Sequence, residues 1–309
     1  MIDQILIFAF SIFLVIRGAT LATKYSAKLA EHFSVSRYLI SFIVVAFISI
    51  LPETMISINA ALQGVPEFGL GTLFGSNIAD LTLIFALLIL FSGRSIKIET
   101  KLLKNVRLYP FFLLLPIIFG LDGDFTRIDG AALILSGVLF YYVMFSNNST
   151  QSKVFQKSSG KWKDALFLVF AMILLLLGSH YTVESATNLA EILKIAPVII
   201  GLLIVGLGTT MPEFFYSLKA VQKEEDGLAV GDLLGTVLAD ATIVVGILAV
   251  IHPFTFPVKI IYVTGVFMVI ASLLLLKFMK SGKTITKKEG FLLLFFWIMY
   301  ALIEIIINT

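Results

Sequence analysis

The chain has 309 residues, 59% of them hydrophobic and 14% charged, with a formal net charge of +3 and a mean hydropathy of +1.01. A water-soluble domain of this size would need far more charge on its surface, so an integral membrane protein is indicated. The basic excess lies in short loops, which points to membrane orientation and not to nucleic acid. The absence of cysteine excludes disulfides, thiolate metal sites and cysteine nucleophiles.

Apolar runs separated by polar and Gly/Pro punctuation predict about ten membrane spans. In chain order they fall near 4–24, 37–62, 68–92, 108–121, 128–146, 165–190, 196–221, 228–251, 258–279 and 290–307. Met1 to Arg17 has neither a basic start nor a small-residue cleavage site, so the first run is expected to stay as a helix. The fourth span is short and carries Pro110 and Pro116. The longest polar stretch, 147–164, reads as a loop between two halves, 1–146 and 165–309.

Lys and Arg fall almost entirely in alternate loops, beginning with Lys24, Lys28 and Arg37 after the first span. The opposite loops carry only Arg127, Lys194 and Lys259. By the positive-inside rule both termini are expected outside the cytoplasm, with 147–164 inside it. Arg17 alone lies within a span and reads as a snorkelling or acid-paired residue.

A repeat organises the chain. Ile48-Ser49-Ile50-Leu51-Pro52-Glu53 aligns with Gly208-Thr209-Thr210-Met211-Pro212-Glu213, and Gly75-Ser76-Asn77-Ile78-Ala79-Asp80 aligns with Gly235-Thr236-Val237-Leu238-Ala239-Asp240. Both pairs are offset by 160 residues, as are Gly18 with Gly178 and Leu29-Ala30-Glu31 with Leu189-Ala190-Glu191. A duplicated five-span unit enters the membrane from opposite sides, because five is odd. The expected fold is therefore all-α, with ten transmembrane helices as two inverted five-helix repeats, an arrangement common in secondary transporters.

Glu53 and Glu213 each follow a proline within an apolar run, where proline removes a backbone bond and frees carbonyls of the preceding turn. Such carbonyls, with the hydroxyls of Ser49, Thr209 and Thr210, offer oxygen ligands at membrane depth. Hard ions such as Ca2+ and Na+ prefer these oxygens, and carboxylates offset the cost of ion dehydration. Asp80 and Asp240 lie one turn after Ser76 and Thr236, so hydroxyl and carboxylate share a helix face. Apart from Arg17 no Lys or Arg lies deep in a span, and uncompensated acids at that depth are functional by default. Glu184 and Glu304, nearer span ends, read as capping or pairing residues. The Phe and Met side chains read as lipid-facing or packing surface, and His32, His180 and His252, near span ends, do not suggest a metal site.

These motifs resemble the alpha repeats of the sodium/calcium exchanger family, within the calcium/cation antiporter superfamily, and the resemblance spans nearly the whole chain. It implies a monomeric exchanger of Ca2+ for Na+ with no cofactor, in which Glu53 and Glu213 are the central Ca2+ ligands. Ser49, Thr209, Ser76 and Thr236, with carbonyls near Ala46 and Gly206, would complete the Na+ and Ca2+ sites, flanked by Asp80 and Asp240. The chain departs from the family pattern at Ile48-Ser49-Ile50, where Gly-Thr-Ser is usual. It also departs at Asp80 and Asp240, one of which is often Asn, and at Thr72 and Asp232, which replace a favoured Asn.

Four converging acids repel one another, so at least one is expected to hold a proton when no cation is bound. H+ and K+ are thus alternative coupling ions, with transport expected to respond to pH. An intramembrane metal-dependent hydrolase would need a nucleophile or a metal-activated water, usually with His, and the three histidines lie away from the acids. A channel is disfavoured because symmetric carboxylates would hold a divalent ion tightly.

Overall fold

The computed structural model describes residues 2–32, 49–98, 108–146 and 161–308. In chain order the helices are α1 (Ile2–His32), α2 (Leu51–Leu62), α3 (Pro66–Ala79) and α4 (Phe85–Ser92), then α5 (Tyr109–Phe119) and α6 (Arg127–Ser146). The second half carries α7 (Lys161–Leu193), α8 (Pro197–Ile200), α9 (Gly206–Thr209), α10 (Met211–Gln222), α11 (Asp226–Ala239), α12 (Val245–Ile251), α13 (Val266–Lys280) and α14 (Lys287–Asn308). Single π-helical turns join α3 to α4 (Asp80–Ile84), α8 to α9 (Gly201–Val205) and α11 to α12 (Asp240–Val244), and another leads into α13 (Ile261–Gly265).

Seven of these stretches are long and apolar enough to cross a bilayer: Ile2–Ala22, Pro66–Ser92, Trp162–Leu193, Pro197–Gln222, Asp226–Ile251, Ile261–Lys280 and Lys287–Ile307. The apolar α5 is shorter. The predicted second span is described only from Ser49 onward. The sequence sets α1 and α7 too short, at 4–24 and 165–190. Their ends are polar but rich in Ala, Glu and Lys, good helix formers that continue the helix beyond the apolar run. The expected loop 147–164 is thereby shortened, since α7 begins at Lys161. At 33 residues α7 would be about 50 Å long against a hydrocarbon core of about 30 Å.

The interior of the molecule is made by two helices. Pro66–Ser92 and Asp226–Ile251 are each 83% buried, whereas the apolar windows of α1, α7 and α14 are 33%, 33% and 28% buried. Large apolar side chains such as Phe10, Phe13, Phe167, Phe170, Phe291 and Phe295 are exposed on the outer helices, as a lipid-facing surface requires. Arg17 is exposed with its guanidinium over the Phe13 ring at 5.2 Å, in keeping with the snorkelling reading.

The offset of 160 residues recurs in the coordinates. Helix α3 with its π turn becomes α11 with its π turn at that spacing, and α2 becomes α10. The packing of α1 on α7 is reciprocal as well. A Cβ at Gly18 would meet the Leu175 backbone nitrogen at 3.0 Å, and one at Gly178 would meet that of Val15 at 2.9 Å; each contact is the other displaced by 160. Two short antiparallel ribbons tie the halves together, Ile96–Lys97 with Thr284–Ile285 and Asp124–Phe125 with Phe254–Thr255. Each pairs a loop of one half with a loop of the other.

Glycine sets how closely α3 approaches the broken helix α8–α9. A Cβ at Gly75 would lie 2.1 Å from the Leu202 carbonyl oxygen, and one at Gly206 would lie 2.8 Å from the Ser76 backbone nitrogen. Backbone cannot yield as a side chain end does, so overpacking here costs on the order of 3 kcal/mol. We expect Gly75→Val to lower the melting temperature of detergent-purified protein or abolish its monodisperse elution. Gly231→Ala on α11, where nothing lies within 4 Å of the added carbon, should leave both measurements near wild type.

Candidate cation site

Both Pro-Glu motifs open a helix. Pro52 and Pro212 occupy the first turn of α2 and α10, with Glu53 and Glu213 beside them. The chain is helical at Ser49 and at Thr209 and interrupted at Ile50 and at Thr210. Proline cannot donate to the preceding turn, so the break falls where each motif places it. Glu53 and Glu213 are both 1% exposed, in the middle of the protein. Ser49, Thr209 and Thr210 are buried around them. The Thr209 hydroxyl donates to the Gly206 carbonyl at 3.1 Å and lies beside the Glu53 carboxylate, so the two halves meet at this point. Ala46 lies outside the described residues.

The second pair of motifs forms two stripes. Thr72, Ser76 and Asp80 follow one another at four-residue steps along α3, and Asp232, Thr236 and Asp240 do so along α11, so each set shares one helix face. All six are buried. Asp80 and Asp240 each begin a π turn, a local widening that often marks functional positions. Asp80 lies close enough to Glu53 and Asp232 for their charges to interact, Asp240 to Glu53 and Asp80, and Glu213 to Glu53, Asp80 and Asp232. The four acids expected from the sequence are therefore brought together.

A fifth acid joins them. Asp232 accepts a hydrogen bond from the Ser49 hydroxyl at 3.0 Å, linking α11 to the turn before Glu53. The sequence marks it only as a departure from a family pattern, because it lies three residues ahead of the motif that carries Asp240. Ser57 and Ser217, one turn beyond each Glu, are also fully buried; their offset of 160 was a visible signal. Tyr109 is buried close to Asp80 and Asp240, and Tyr141 donates to the Gly235 carbonyl at 2.7 Å. Their aromatic character hid them among packing residues.

Among the described residues, buried polar atoms without a hydrogen-bond partner concentrate here. They include both carboxylate oxygens of Asp80, Asp240 and Glu213, one oxygen each of Glu53 and Asp232, and the Thr236 hydroxyl. Ser76 is satisfied by the Leu73 carbonyl at 3.0 Å. Burying so many acceptors without donors is costly unless a cation meets them. Among the described residues no three His, Asp or Glu side chains converge into a compact metal cluster. The carboxylates interact around a shared centre, and any ion there would also need hydroxyl and carbonyl oxygens.

The other ionisable residues have separate partners, and Glu304, expected as a span-end capping or pairing residue, is buried. His180 lies 4.0 Å from Glu184, Glu304 accepts from the Thr264 hydroxyl, and His252 is exposed; the His32 side chain is outside the described set. At one end of α11, Arg94 from the loop after α4 binds both oxygens of Asp226 at 2.5 and 2.8 Å, and the Lys97 N–H adds a third bond at 2.7 Å. The carboxylate pushes the Arg94 pKa up further, so the guanidinium stays charged.

The chain has the makings of a membrane transporter with a buried, acid-lined centre shared by two related halves. The family model described as "sodium/calcium exchanger protein" matches residues 4–146 and 163–306, and the chain belongs to this family of membrane antiporters. It is 30% identical over 282 residues to an uncharacterized membrane protein of Methanocaldococcus jannaschii, covering 89% of each chain. A putative antiporter, CaxA, of Alkalimonas amylolytica is 28% identical, covering 89% of this chain and 90% of the relative. The sodium/calcium exchanger MaX1 of Methanosarcina acetivorans is 22% identical, with 96% and 97% covered. Among solved structures, the sodium-calcium exchanger NCX_Mj soaked with Na+ and Sr2+ matches with a TM-score of 0.69 and 26% identity, over 96% of this chain and 97% of that one.

The Arg94–Asp226 bridge sits where α4 and α11 must be held in register beneath the acids. Removing the guanidinium leaves a carboxylate that is 5% exposed without its charged partner, a loss of about 2 kcal/mol. We expect Arg94→Gln to lower the thermal midpoint of the purified protein, read by size-exclusion after heating. Asp226→Asn, which keeps the shape and loses the charge, should cost less.

Proposed function

We propose that the protein is a secondary-active antiporter that exchanges Ca2+ for Na+ by alternating access, built as ten transmembrane helices in two inverted five-helix repeats, 1–146 and 165–309. Glu53 and Glu213 bind the divalent ion at the centre, and Asp80 and Asp240 flank it. Hydroxyls of Ser49, Thr209, Ser76 and Thr236 and carbonyls of Gly206 and Ala46 complete the ligand set for Ca2+ and Na+. The protein works as a monomer in the cell membrane, with both termini outside the cytoplasm and 147–164 inside it.

The single observation that carries this reading is the set of buried carboxylate oxygens with no donor to meet them, gathered where the two halves touch. A lipid-embedded acid without a basic partner has to be protonated or matched by a cation, and exchange follows when two kinds of cation compete for the same acids. The 160-residue recurrence supports the repeat, and the relatives described as sodium/calcium exchangers support the choice of ions. Five acids in one centre favour a second reading, a Ca2+ exchanger coupled to H+ or K+. A hydrolase has no support from His180 and His252, which are exposed while the acids are buried.

Radiolabelled Ca2+ uptake into proteoliposomes, with Na+, K+ and pH gradients imposed one at a time, tests the proposal. Uptake driven by an outward Na+ gradient is expected, and Glu53→Gln and Glu213→Gln should each reduce it at least a hundredfold. Wild-type-like flux in both variants would sink the assignment of the centre. Uptake that responds to pH or K+ and ignores Na+ would favour the second reading.

A further inference from the structure

Helices α1 and α7 pack antiparallel, with Gly18 on Leu175 and Gly178 on Val15. At one end of the pair the apolar stretch of α1 stops at Ala22 and that of α7 starts at Trp162. There the Tyr25 and Phe167 rings stack, 4.6 Å apart and 10° from parallel, joining the first half of the chain to the second. Two ammonium groups converge on the stack. Lys24 and Lys28, one turn apart, each hold Nζ 5.3 Å from the centre of the Tyr25 ring. Lys163 stands one turn before Phe167 on the same side of α7, and Trp162 beside it is 90% exposed. All three lysines are exposed. Among the described residues the ion pairs are Arg94–Asp226 and His180–Glu184, and none of the three lysines takes part. Asp164 follows Lys163 on another side of α7, since adjacent helical residues do not face each other.

Like charges one turn apart on a helix repel, and lysines that served orientation alone would spread into water. Here two of them are drawn to one aromatic ring, with a third on the facing helix. Directly beneath, towards the apolar stretch, Leu166, Phe167 and Phe170 are exposed. Positive charge at the rim of an apolar, lipid-facing strip matches a molecule with an anionic head and a hydrocarbon tail. We propose that this end of the α1–α7 pair binds an anionic phospholipid, its phosphate held by Lys24, Lys28 and Lys163 and an acyl chain lying over Phe167 and Phe170.

The surroundings favour a lipid over a soluble anion. A free phosphate would leave the exposed phenylalanines uncovered, whereas a lipid covers them and meets the lysines at once. Trp162 is of the residue type that seats at headgroup level. Juxtamembrane lysines each strengthen the hold on anionic lipid by about fivefold. Lys24 and Lys28 belong to one half and Lys163 to the other, so a phosphate between them bridges the halves. That bridge lies about 10 Å along the axis from the Gly18 contact, where backbone packing no longer holds the pair.

The test reads tryptophan fluorescence of the full chain in phosphatidylcholine vesicles with increasing shares of a brominated lipid, either phosphatidylglycerol or phosphatidylcholine. The chain has two tryptophans, and Trp162→Phe assigns the signal. Brominated phosphatidylglycerol is expected to quench Trp162 at a share at least fivefold lower than brominated phosphatidylcholine. Lys24→Gln/Lys28→Gln should raise that share at least fivefold. Lys287→Gln/Lys288→Gln, which removes two exposed lysines at the start of α14, should leave it within twofold. Equal quenching by the two lipids overturns the proposal, as does quenching that survives in Trp162→Phe. An equal loss in both lysine pairs overturns it too, in favour of general attraction to a charged surface. Relief of the quenching by inorganic phosphate would overturn it in favour of a soluble anion. Should Lys24→Gln/Lys28→Gln fail to reconstitute, Lys163→Gln decides by the same criterion. Lipid quenching is independent of ion flux, so this result stands apart from the measurements on Glu53→Gln and Glu213→Gln.

Discussion

Five carboxylates buried in the middle of a membrane protein, with no lysine or arginine among the described residues beside them, set the terms for the rest of the fold. An acid at membrane depth costs several kcal/mol unless its charge is met, and neighbouring acids raise that cost by repelling one another. Among the described residues the surrounding helices do not relieve that cost with donors, since most of the carboxylate oxygens face no N–H or O–H. Each acid must then hold a proton or be matched by a cation. Interruption of α8–α10 at Thr210, the prolines that open α2 and α10, and the π turns at Asp80 and Asp240 all bring oxygens to that centre. In a regular helix those oxygens would be turned into the backbone ladder.

Holding the acids together requires backbones to approach more closely than ordinary side chains permit. Gly75 and Gly206 allow α3 to rest on the α8–α9 segment at backbone distance, which places Ser76 next to Gly206 and brings Asp80 towards the Glu213 side. Without a hydrophobic force between helices inside lipid, close packing of small residues and buried polar contacts supply the association. The reciprocal Gly18 and Gly178 contacts do the same for α1 and α7, and the short ribbons fix the loops of one half to those of the other. The polar clamp of Arg94 on Asp226 then ties the interior helix α11 to the loop that follows α4.

Much of this was legible in the sequence because the duplication writes the same chemistry twice. Pro-Glu and the Gly-Ser/Thr…Asp motifs at a common offset place Glu53, Glu213, Asp80 and Asp240 without any structure, and hydropathy places the helices around them. Helix ends were less legible, since Lys, Ala and Glu at the end of α1 and Lys161, Lys163 and Asp164 at the start of α7 read as loop and yet continue the helix. Asp232 was harder for a different reason. Its part in the centre depends on a hydrogen bond to Ser49, 183 residues away, and no local pattern encodes a contact between halves. Tyr109 and Tyr141 were concealed by residue type, because an aromatic ring in an apolar helix carries no sequence mark that separates packing from a hydroxyl near an acid.

The differences between the halves carry more functional information than their likeness. A faithful duplication would give two equal half-sites, and equal half-sites treat an ion in the same way from either side. Here Thr72 is answered by Asp232, and Ile48 and Ile50 by Gly208 and Thr210. The second half therefore has the extra carboxylate, while the number of hydroxyls is the same, since Thr210 is gained where Ile50 stood and the Thr72 hydroxyl gives way to Asp232. The Ser49 hydroxyl donates to that carboxylate, so the poorer half's motif is spent on orienting the richer half's acid. Glu53 and Glu213 come one from each half, so an ion bound between them would draw on both, whereas Asp232 belongs to the second half alone. Two ions of different charge can then compete for overlapping but unequal oxygens, and unequal overlap lets the binding of one ion change the hold on the other.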